Sequence, residues 1–363
     1  MKILIVTTVS VTMNFFEHLI DDLIDEGIEV HLATNFNYGN IKKINKDAVM
    51  HQIDFSRSIY SRDNINAYKQ FKVLIEKNNF DIIHTHTPIA SAIVRLQKNN
   101  IGKTIYTAHG FHFYKGAPRK NWLIFYPIEK ILSYRTENLV TINNEDYNIA
   151  NKKMHMKKLH LINGPGVNVP EILKINKLSR SELGLSEDDF ILIFGAELNE
   201  NKNQKLLIDS MELLVKKHKN IKLLLVGTDN FEGKYQNYTT EKGLSDNIIF
   251  LGMRNDLIPI IKVCDVAVSS SYREGLGLFL IEAGCCGLPI IATKNRGSSE
   301  IVVQGENGFL TDFTAYNFAS EIEKIYSDRK LYDQLSSYSI LNYEKFSVST
   351  VNSKIKEIYK SIE

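Results

Sequence analysis

Short apolar runs alternate with amphipathic stretches twice along this chain, and that alternation restricts its fold more than any other feature. The first series opens on Ile3-Leu4-Ile5-Val6. An amphipathic stretch from about Phe15 to Glu26 follows, Gly27 ends it, and Ile28-Glu29-Val30-His31-Leu32 is rich in strand formers. The pattern predicts a helix over 68–77, a strand over 81–84, a helix over 91–98, and strands over 104–107 and 139–142. Gly and Pro punctuate Leu161-Ile162-Asn163-Gly164-Pro165-Gly166-Val167. The alternation then restarts, with strands expected at 190–194, 222–226, 248–251, 266–269 and 289–292, and helices from about Gln204, Asp256 and Gly277. Strand-helix alternation specifies a parallel sheet wrapped by helices. The expected fold is therefore α/β, with two Rossmann-like domains over 1–165 and 166–344. A C-terminal helix at about 345–363 is expected to pack back on the first.

A length of 363 residues agrees, since it exceeds what one core usually holds. With 44% hydrophobic residues and only 7 Pro, disorder and low complexity are excluded. The formal charge of +2 excludes a strongly basic nucleic-acid binder, so no nucleic-acid partner is expected. That total hides a division: residues 1–165 hold 21 Lys and Arg against 15 Asp and Glu, whereas the remainder holds 23 against 27. Cys264, Cys285 and Cys286 have no C-x-x-C spacing and read as buried thiols of a reducing cytosol. No apolar run approaches a spanning helix, and the start reads as a first strand, not a signal peptide.

The run Ser271-Tyr272-Arg273-Glu274-Gly275-Leu276-Gly277-Leu278-Phe279-Leu280-Ile281-Glu282-Ala283 follows the strand Val266-Ala267-Val268-Ser269. Two glycines before a helical stretch leave backbone N–H groups and a positive dipole end at the top of the sheet, a geometry suited to phosphate. Glu274 and Glu282 flank that point. Carboxylates there accept hydrogen bonds from sugar and ribose hydroxyls. An acidic helix start accounts for either glutamate alone, but less well for the Gly-x-Gly between them.

From Ser271 to Thr293 the chain reads SYREGLGLFLIEAGCCGLPIIAT, which resembles the E-x7-E donor motif of retaining GT-B glycosyltransferases of family 4, most closely those of bacterial capsule and exopolysaccharide synthesis. MKILIV, DIIHTHTP, YTAHGFHFYKGAP, INGPGVN, GAELNENKNQ, LLLVG, FLGMRND and NRGSSEIVVQGENGFL extend the match in order over nearly the whole chain. The resemblance implies a GT-B fold, with the two sheets facing each other across a cleft and domain closure excluding water. It implies an acceptor-binding first domain and a donor-binding second one. Glu274 would contact hydroxyls of the transferred sugar and Glu282 the nucleotide ribose. Amides from Gly275, Leu276, Gly277, Leu278 and Phe279 would hold the diphosphate, and Lys202 would neutralise it. His109, in Ala108-His109-Gly110, would donate near the reacting centre.

One departure is expected to matter. Glu197 stands where many members have an arginine beside the lysine. Either Lys202 works with amides and a second cation, for which Arg273 and Arg254 are candidates, or Glu197 orients Lys202. The pair His84-x-His86 is weaker as a metal site, because no third ligand is near it in sequence, and no Asp-x-Asp occurs. No metal or cofactor is therefore expected, and the nucleotide sugar is a substrate. The first loop lacks G-x-G-x-x-G, which excludes a nicotinamide site and leaves Thr12 and Asn14 as candidate acceptor contacts, with His112, Tyr114 and Lys115. Aromatics mixed with cations over 113–126 suit an anionic lipid surface or a lipid-diphosphate acceptor, as do Lys152-Lys153 and Lys157-Lys158.

The expected activity is retaining transfer of a hexosyl or N-acetylhexosaminyl group. The donor is a UDP-sugar by analogy, and the acceptor a hydroxyl of a lipid-linked saccharide. The expected location is cytoplasmic, peripheral on the inner membrane face. A GT-B epimerase or a non-catalytic sugar-nucleotide binder is the alternative. The joint presence of Glu274, Lys202 and His109 weighs against both.

Overall fold

The computed structural model describes residues 1–39, 41, 44–97 and 103–362. The chain divides into two compact units, Met1–Gly166 with the segment from Val348, and Val167–Ser347. The chain leaves the first unit one residue past the expected boundary and returns three past it. Gly166 sits at φ +84°, and a Cβ there would stand 2.8 Å from the Val348 backbone, so only glycine fits this crossing.

The first unit is a seven-stranded parallel sheet. Its strands are β1 (Lys2–Val9), β2 (Glu29–Asn35), β3 (Val49–Gln52), β4 (Ile82–His86), β5 (Thr104–Ala108), β6 (Asn138–Thr141) and β7 (Lys158–Leu161), ordered 3-2-1-4-5-6-7. β1 is buried along nearly its whole length, as a central strand covered on both faces must be. Ala67, Phe71 and Leu74 of the helix Asp63–Lys77, and Ala90, Ile93 and Val94 of the helix Pro88–Leu96, pack with Leu4, Val6 and Ile83. The latter helix was expected over 91–98; its end at Lys98 falls outside the described residues.

The second unit is a six-stranded parallel sheet of β8 (Phe190–Gly195), β9 (Ile221–Val226), β10 (Ile248–Gly252), β11 (Val266–Ser269), β12 (Ile290–Thr293) and β13 (Gly308–Thr311). Its order is 10-9-8-11-12-13, the first sheet's pattern with six strands. In both sheets the order reverses beside the first strand, between β1 and β4 and between β8 and β11. Open parallel sheets bind ligands at the carboxyl ends of strands at such points.

Two local differences from the sequence reading have physical causes. The helix expected from Phe15 begins as a 3-10 turn over Ser10–Phe16 before the α-helix Glu17–Asp25. Ser10, Met13 and Phe16 are its buried residues, and a period of three is what a 3-10 turn presents on one side. The C-terminal helix runs Val348–Lys360 after a 3-10 turn at Glu344–Phe346, and the expected end at Glu363 is outside the described residues. It docks on the first unit. Tyr359 is buried, Asn352 Nδ2 donates to Asp22 (2.8 Å) and Lys356 pairs with Glu26 (2.7 Å).

Candidate active site

In the second unit the loop after β11 is tied down on two sides. The carbonyl of Ser271 accepts from Thr293 Oγ1 (2.7 Å) and Asn295 Nδ2 (3.0 Å), and that of Glu274 from Arg296 Nε (3.1 Å). On the other side Asn201 Nδ2 donates to the Arg273 carbonyl (3.0 Å), Tyr272 N–H to the Asn201 carbonyl (2.8 Å), and Ser270 Oγ to the Lys202 carbonyl (2.7 Å). Three loops at the carboxyl ends of β8, β11 and β12 thus hold one another. Two glycines are required by this packing. A Cβ on Gly195 would lie 2.6 Å from the Phe279 ring, and one on Gly297 would lie 2.6 Å from Glu274 Cβ.

This clamp brings Lys202 and Glu274 together, with Nζ 2.5 Å from Oε1 and both side chains largely buried. Sequence reasoning singled out each but not their pairing. Glu197 makes no direct contact with the lysine side chain: its carboxylate accepts from Asn230 (3.2 Å) and from Asn199 (3.4 Å), whose own Oδ1 accepts the Lys202 N–H (3.0 Å). The Arg254 guanidinium forks onto Asp256 at 2.8 and 2.6 Å. Arg273 stays beside the pair through its backbone. Arg296, nearly buried against Glu274, is a cation that its flanking Asn and Gly gave no reason to select.

The helix Leu278–Cys285 begins immediately past the second glycine. The Leu278 N–H is not open to a ligand, as had been expected, because it donates to the Leu276 carbonyl (3.1 Å) and closes a tight turn. Gly277 and Phe279 N–H groups donate to no described residue, and Gly275 has partners within the protein. Glu282, one turn in, is half-buried, and burial pushes its carboxyl up to about 7. No described residue donates to it. Such a carboxyl is an acceptor waiting for a hydroxyl. The thiols nearby are inert: burial pushes Cys285 up to about 12 and Cys286, half-buried and not fully buried as expected, to about 11.

In the first unit the carboxyl ends of β4 and β5 carry three histidines. His84 is held between Tyr359 Oη and Thr107 Oγ1, each at 2.7 Å. His86 lies 4.2 Å from the His84 ring and stacks on Phe16 at 4.0 Å. Its Nδ1 is 3.1 Å from Nε2 of His109, and its own buried Nε2 has no partner among the described residues. Burial pushes His84 down to about 3, His109 to about 4 and His86 well below its ordinary value. All three are neutral near pH 7, so His109 offers an imidazole and not an imidazolium. Among the described residues no group of three or more His, Cys, Asp or Glu is placed to hold a metal.

The acceptor candidates separate. Thr12 and His112 line one cavity of about 490 Å3, with Thr8, Arg57, Thr87 and Phe125. Tyr114 and Lys115 lie outside it: the Tyr114 carbonyl accepts from Trp122 Nε1 (3.1 Å) and Lys115 N–H donates to Glu145 (2.6 Å). Asn14 is in the 3-10 turn, with partners inside the protein. Thr87 is a residue the sequence reading missed. At φ 68°, strained for a β-branched side chain, it receives the Thr8 N–H at 3.0 Å and faces the cavity from the point where strand order reverses.

Two profiles of sugar-transferring enzymes match this chain, Glycosyl transferase 4-like over residues 2–143 and Glycosyl transferases group 1 over residues 176–341. The chain is 39% identical over 346 residues to EpsD of Bacillus subtilis (strain 168), provisionally named a glycosyltransferase, covering 92% of this chain and 90% of that one. It is 26% identical to the UDP-Gal:alpha-D-GlcNAc-diphosphoundecaprenol alpha-1,3-galactosyltransferase of Escherichia coli, over 82% of this chain and 81% of that one. The solved structure of Anabaena Alr3699/HepE in complex with UDP-glucose superposes with a TM-score of 0.78 at 18% identity, covering 99% and 100% of the two chains. Fold and motifs thus define a GT-B enzyme. The chain belongs to family 4 of the glycosyltransferases and is itself a glycosyltransferase.

Proposed function

We propose that this enzyme transfers a hexosyl or N-acetylhexosaminyl group from a UDP-sugar, with retention at the anomeric carbon, to a hydroxyl of a lipid-linked saccharide in capsule or exopolysaccharide assembly. The observation that carries the reading is the clamped loop that pairs Lys202 with Glu274 and runs into a helix whose start bears the Gly277 and Phe279 amides and, one turn on, the unpartnered carboxyl of Glu282. Lys202 and the amides meet the diphosphate, Glu274 the hydroxyls of the transferred sugar, and Glu282 the ribose. Arg273 and Arg296 add positive charge near the diphosphate.

Retention follows the family resemblance. The departing phosphate takes the proton of the incoming hydroxyl while the glycosidic bond breaks and the new one forms on the same face. The protein positions reactants and stabilises the leaving charge. His109 donates from its neutral ring. The UDP-glucose complex of the Anabaena protein and the donor named for the Escherichia coli relative support UDP. That relative's diphosphoundecaprenol substrate supports the lipid-linked acceptor.

A membrane surface is supported by the helix Arg119–Ser133. Its outward stripe of Leu123, Ile124, Ile128 and Ile131 is apolar, with Leu123 77% and Ile131 68% exposed. Arg119, Lys120 and Lys130 accompany it, and its one carboxylate, Glu129, is buried against Arg95 (2.9 Å). Among the described residues no helix is long and apolar enough to cross a membrane. Peripheral binding at the cytoplasmic face is the arrangement this helix fits.

A panel of nucleotide sugars, scored by thermal shift and by donor hydrolysis, tests the donor; UDP-sugars should stabilise and turn over, and silence across the panel rejects the reading. NMR of the product's anomeric proton checks retention, and flotation with anionic liposomes at low salt checks the surface. Release of an isomerised sugar nucleotide without acceptor would indicate an epimerase instead.

Glu282 yields a pH signature. Ribose hydroxyls donate to its charged form, whereas the free site is half protonated at about pH 7. UDP affinity should therefore fall by up to roughly tenfold per pH unit below that point. Calorimetry in buffers of different ionisation enthalpy should show a proton released on binding. Glu282→Gln should flatten the pH dependence, and a wild-type affinity constant from pH 6 to 8 contradicts the ribose assignment.

A further inference from the structure

The apolar stripe of the helix Arg119–Ser133 does not end at the surface. Beneath it lies a cavity of about 220 Å3 walled by side chains such as Ala92, Ile93, Phe111, Phe113 and Ile128. Ile128 belongs to both, half-exposed on the stripe and in the cavity wall. The floor offers no free charge, because Glu129 is engaged by both terminal nitrogens of Arg95 at 2.9 and 3.2 Å, and the Arg95 guanidinium lies 4.1 Å over the Tyr106 ring.

On its other side this cavity adjoins the larger one already described. Ile59, Pro88, Ile89, His112 and Phe125 line both, with His112 and Phe125 stacked at 4.6 Å as part of the shared wall. Beyond that wall the lining changes character to the hydroxyls of Thr8, Thr12 and Ser58 and the side chain of Arg57, which makes no ion pair with a described residue. From the stripe onward the order is therefore cation-flanked apolar stripe, apolar cavity, then a polar cavity with an exposed cation. That sequence of environments is complementary to an amphiphile with a hydrocarbon chain and an anionic head.

We propose that the apolar cavity is the binding site for the head-proximal isoprene units of a polyprenyl diphosphate acceptor, which enters past Ile128 with its diphosphate in the polar cavity beside Arg57. This rests on the lipid-linked acceptor proposed above and assigns its parts. The chain is drawn from the bilayer on which the stripe lies, and hydrocarbon stays in apolar surroundings along the whole route. Arg57 and the hydroxyls hold the diphosphate, which leaves the acceptor sugar near Thr87 and the histidines.

The protein carries its own reporter. Trp122 is the only tryptophan, and its ring is 5.4 Å from that of Phe113 in the cavity wall. Wild-type protein is titrated with farnesyl diphosphate, dimethylallyl diphosphate, farnesol and inorganic diphosphate while Trp122 emission is followed. Farnesyl diphosphate should give a saturable change with an affinity roughly tenfold or more above dimethylallyl diphosphate, since each added unit buries five more carbons. Inorganic diphosphate should leave the emission unchanged. Ala92→Phe, which fills the cavity from the helix Pro88–Leu96, should weaken farnesyl diphosphate by at least about tenfold at an unchanged melting temperature.

Equal affinity for the long and short diphosphates overturns the proposal, and needs no variant. So does wild-type affinity in a folded Ala92→Phe protein. Farnesol binding as tightly as its diphosphate overturns the head placement at Arg57. A concentration-dependent dimer dissolved by Ile131→Glu, with no response to any prenyl compound, assigns the stripe to a second copy of the chain instead. Donor hydrolysis separates the two readings. A protein that hydrolyses UDP-sugars but ignores prenyl diphosphates loses this assignment alone, and one that binds prenyl diphosphates but no nucleotide loses the donor reading.

Discussion

Glu274→Ala and Lys202→Ala should each lower kcat/KM for sugar transfer by about 10²- to 10³-fold or more, the scale on which preorganised charge stabilisation acts. Each change removes a proposed contact to the donor and also strips the other residue of its ion-pair partner, 2.5 Å away in a largely buried position. The double variant should therefore be less impaired than the product of the two single losses, because the second removal has no partner left to strand. Initial rates of UDP release with acceptor present measure the effect, and a melting curve shows whether the fold survives. Undiminished turnover in either single variant removes the residue from the catalytic assignment. Glu274→Gln divides the role further. It retains hydrogen bonds to sugar hydroxyls while dissolving the ion pair, so recovery by glutamine would credit the hydroxyls, and failure would credit the lysine's orientation.

Acid should unfold the first unit selectively. His84 and His109 ionise at about 3 and 4 in the folded chain and near their ordinary value when unfolded, and His86 is depressed in the same direction. The unfolded state thus binds more protons below pH 6.5, so stability is complete above that value and is lost as pH falls toward the folded values. For a fully buried histidine the loss between pH 7 and pH 5 is on the order of 2 kcal/mol, and three in one stack are enough to govern how this unit responds to acid. Glu282 has the opposite sign in the second unit: its raised value favours the folded state at low pH, and that contribution is lost as pH rises from the unfolded carboxyl value to about 7. Urea unfolding at pH 7, 6 and 5 distinguishes the units, because Trp122 fluorescence reports on the first alone. A Trp122 transition that does not shift with pH contradicts the buried, neutral histidine stack.

The central strands could be read in sequence because burial on both faces leaves no polar alternation to interpret. β8 is a continuous apolar run for that reason, β11 is apolar up to Ser269, and β1 (after Lys2) and β4 open on apolar residues before buried Thr and His take over. Three edge strands were missed, though the fourth, β10, was expected over 248–251. β3 is Val-Met-His-Gln with three of four residues exposed, and β7 and β13 are equally short. They are strands because a neighbour offers hydrogen bonds, which no local pattern encodes.

The site divides in a similar way. In the second unit Glu274, Glu282 and Lys202 were legible as candidates because each lies in a motif of fixed spacing after a strand. What makes them a site was not. Gly195 admits Phe279, Gly297 admits Glu274, and Arg296 supports the loop from 22 residues away in sequence, contacts that exist only once three loops converge. His86 was considered only as a metal ligand, whereas it stands against His109, and its neighbour His84 is joined to Tyr359, which lies 275 residues further along the chain.

That last contact bears on how the protein is made. The second unit is one continuous stretch, Val167–Ser347, and can complete its core as soon as its residues leave the ribosome. The first unit cannot. Its sheet is synthesised early, but Tyr359, Asn352 and Lys356 reach His84, Asp22 and Glu26 only after the whole second unit has been translated. The half of the enzyme made first is therefore finished last, and until then the histidine stack lacks one wall. A nascent chain stalled before Val348 would therefore hold a second unit with its whole core and a first unit still open at the histidine stack.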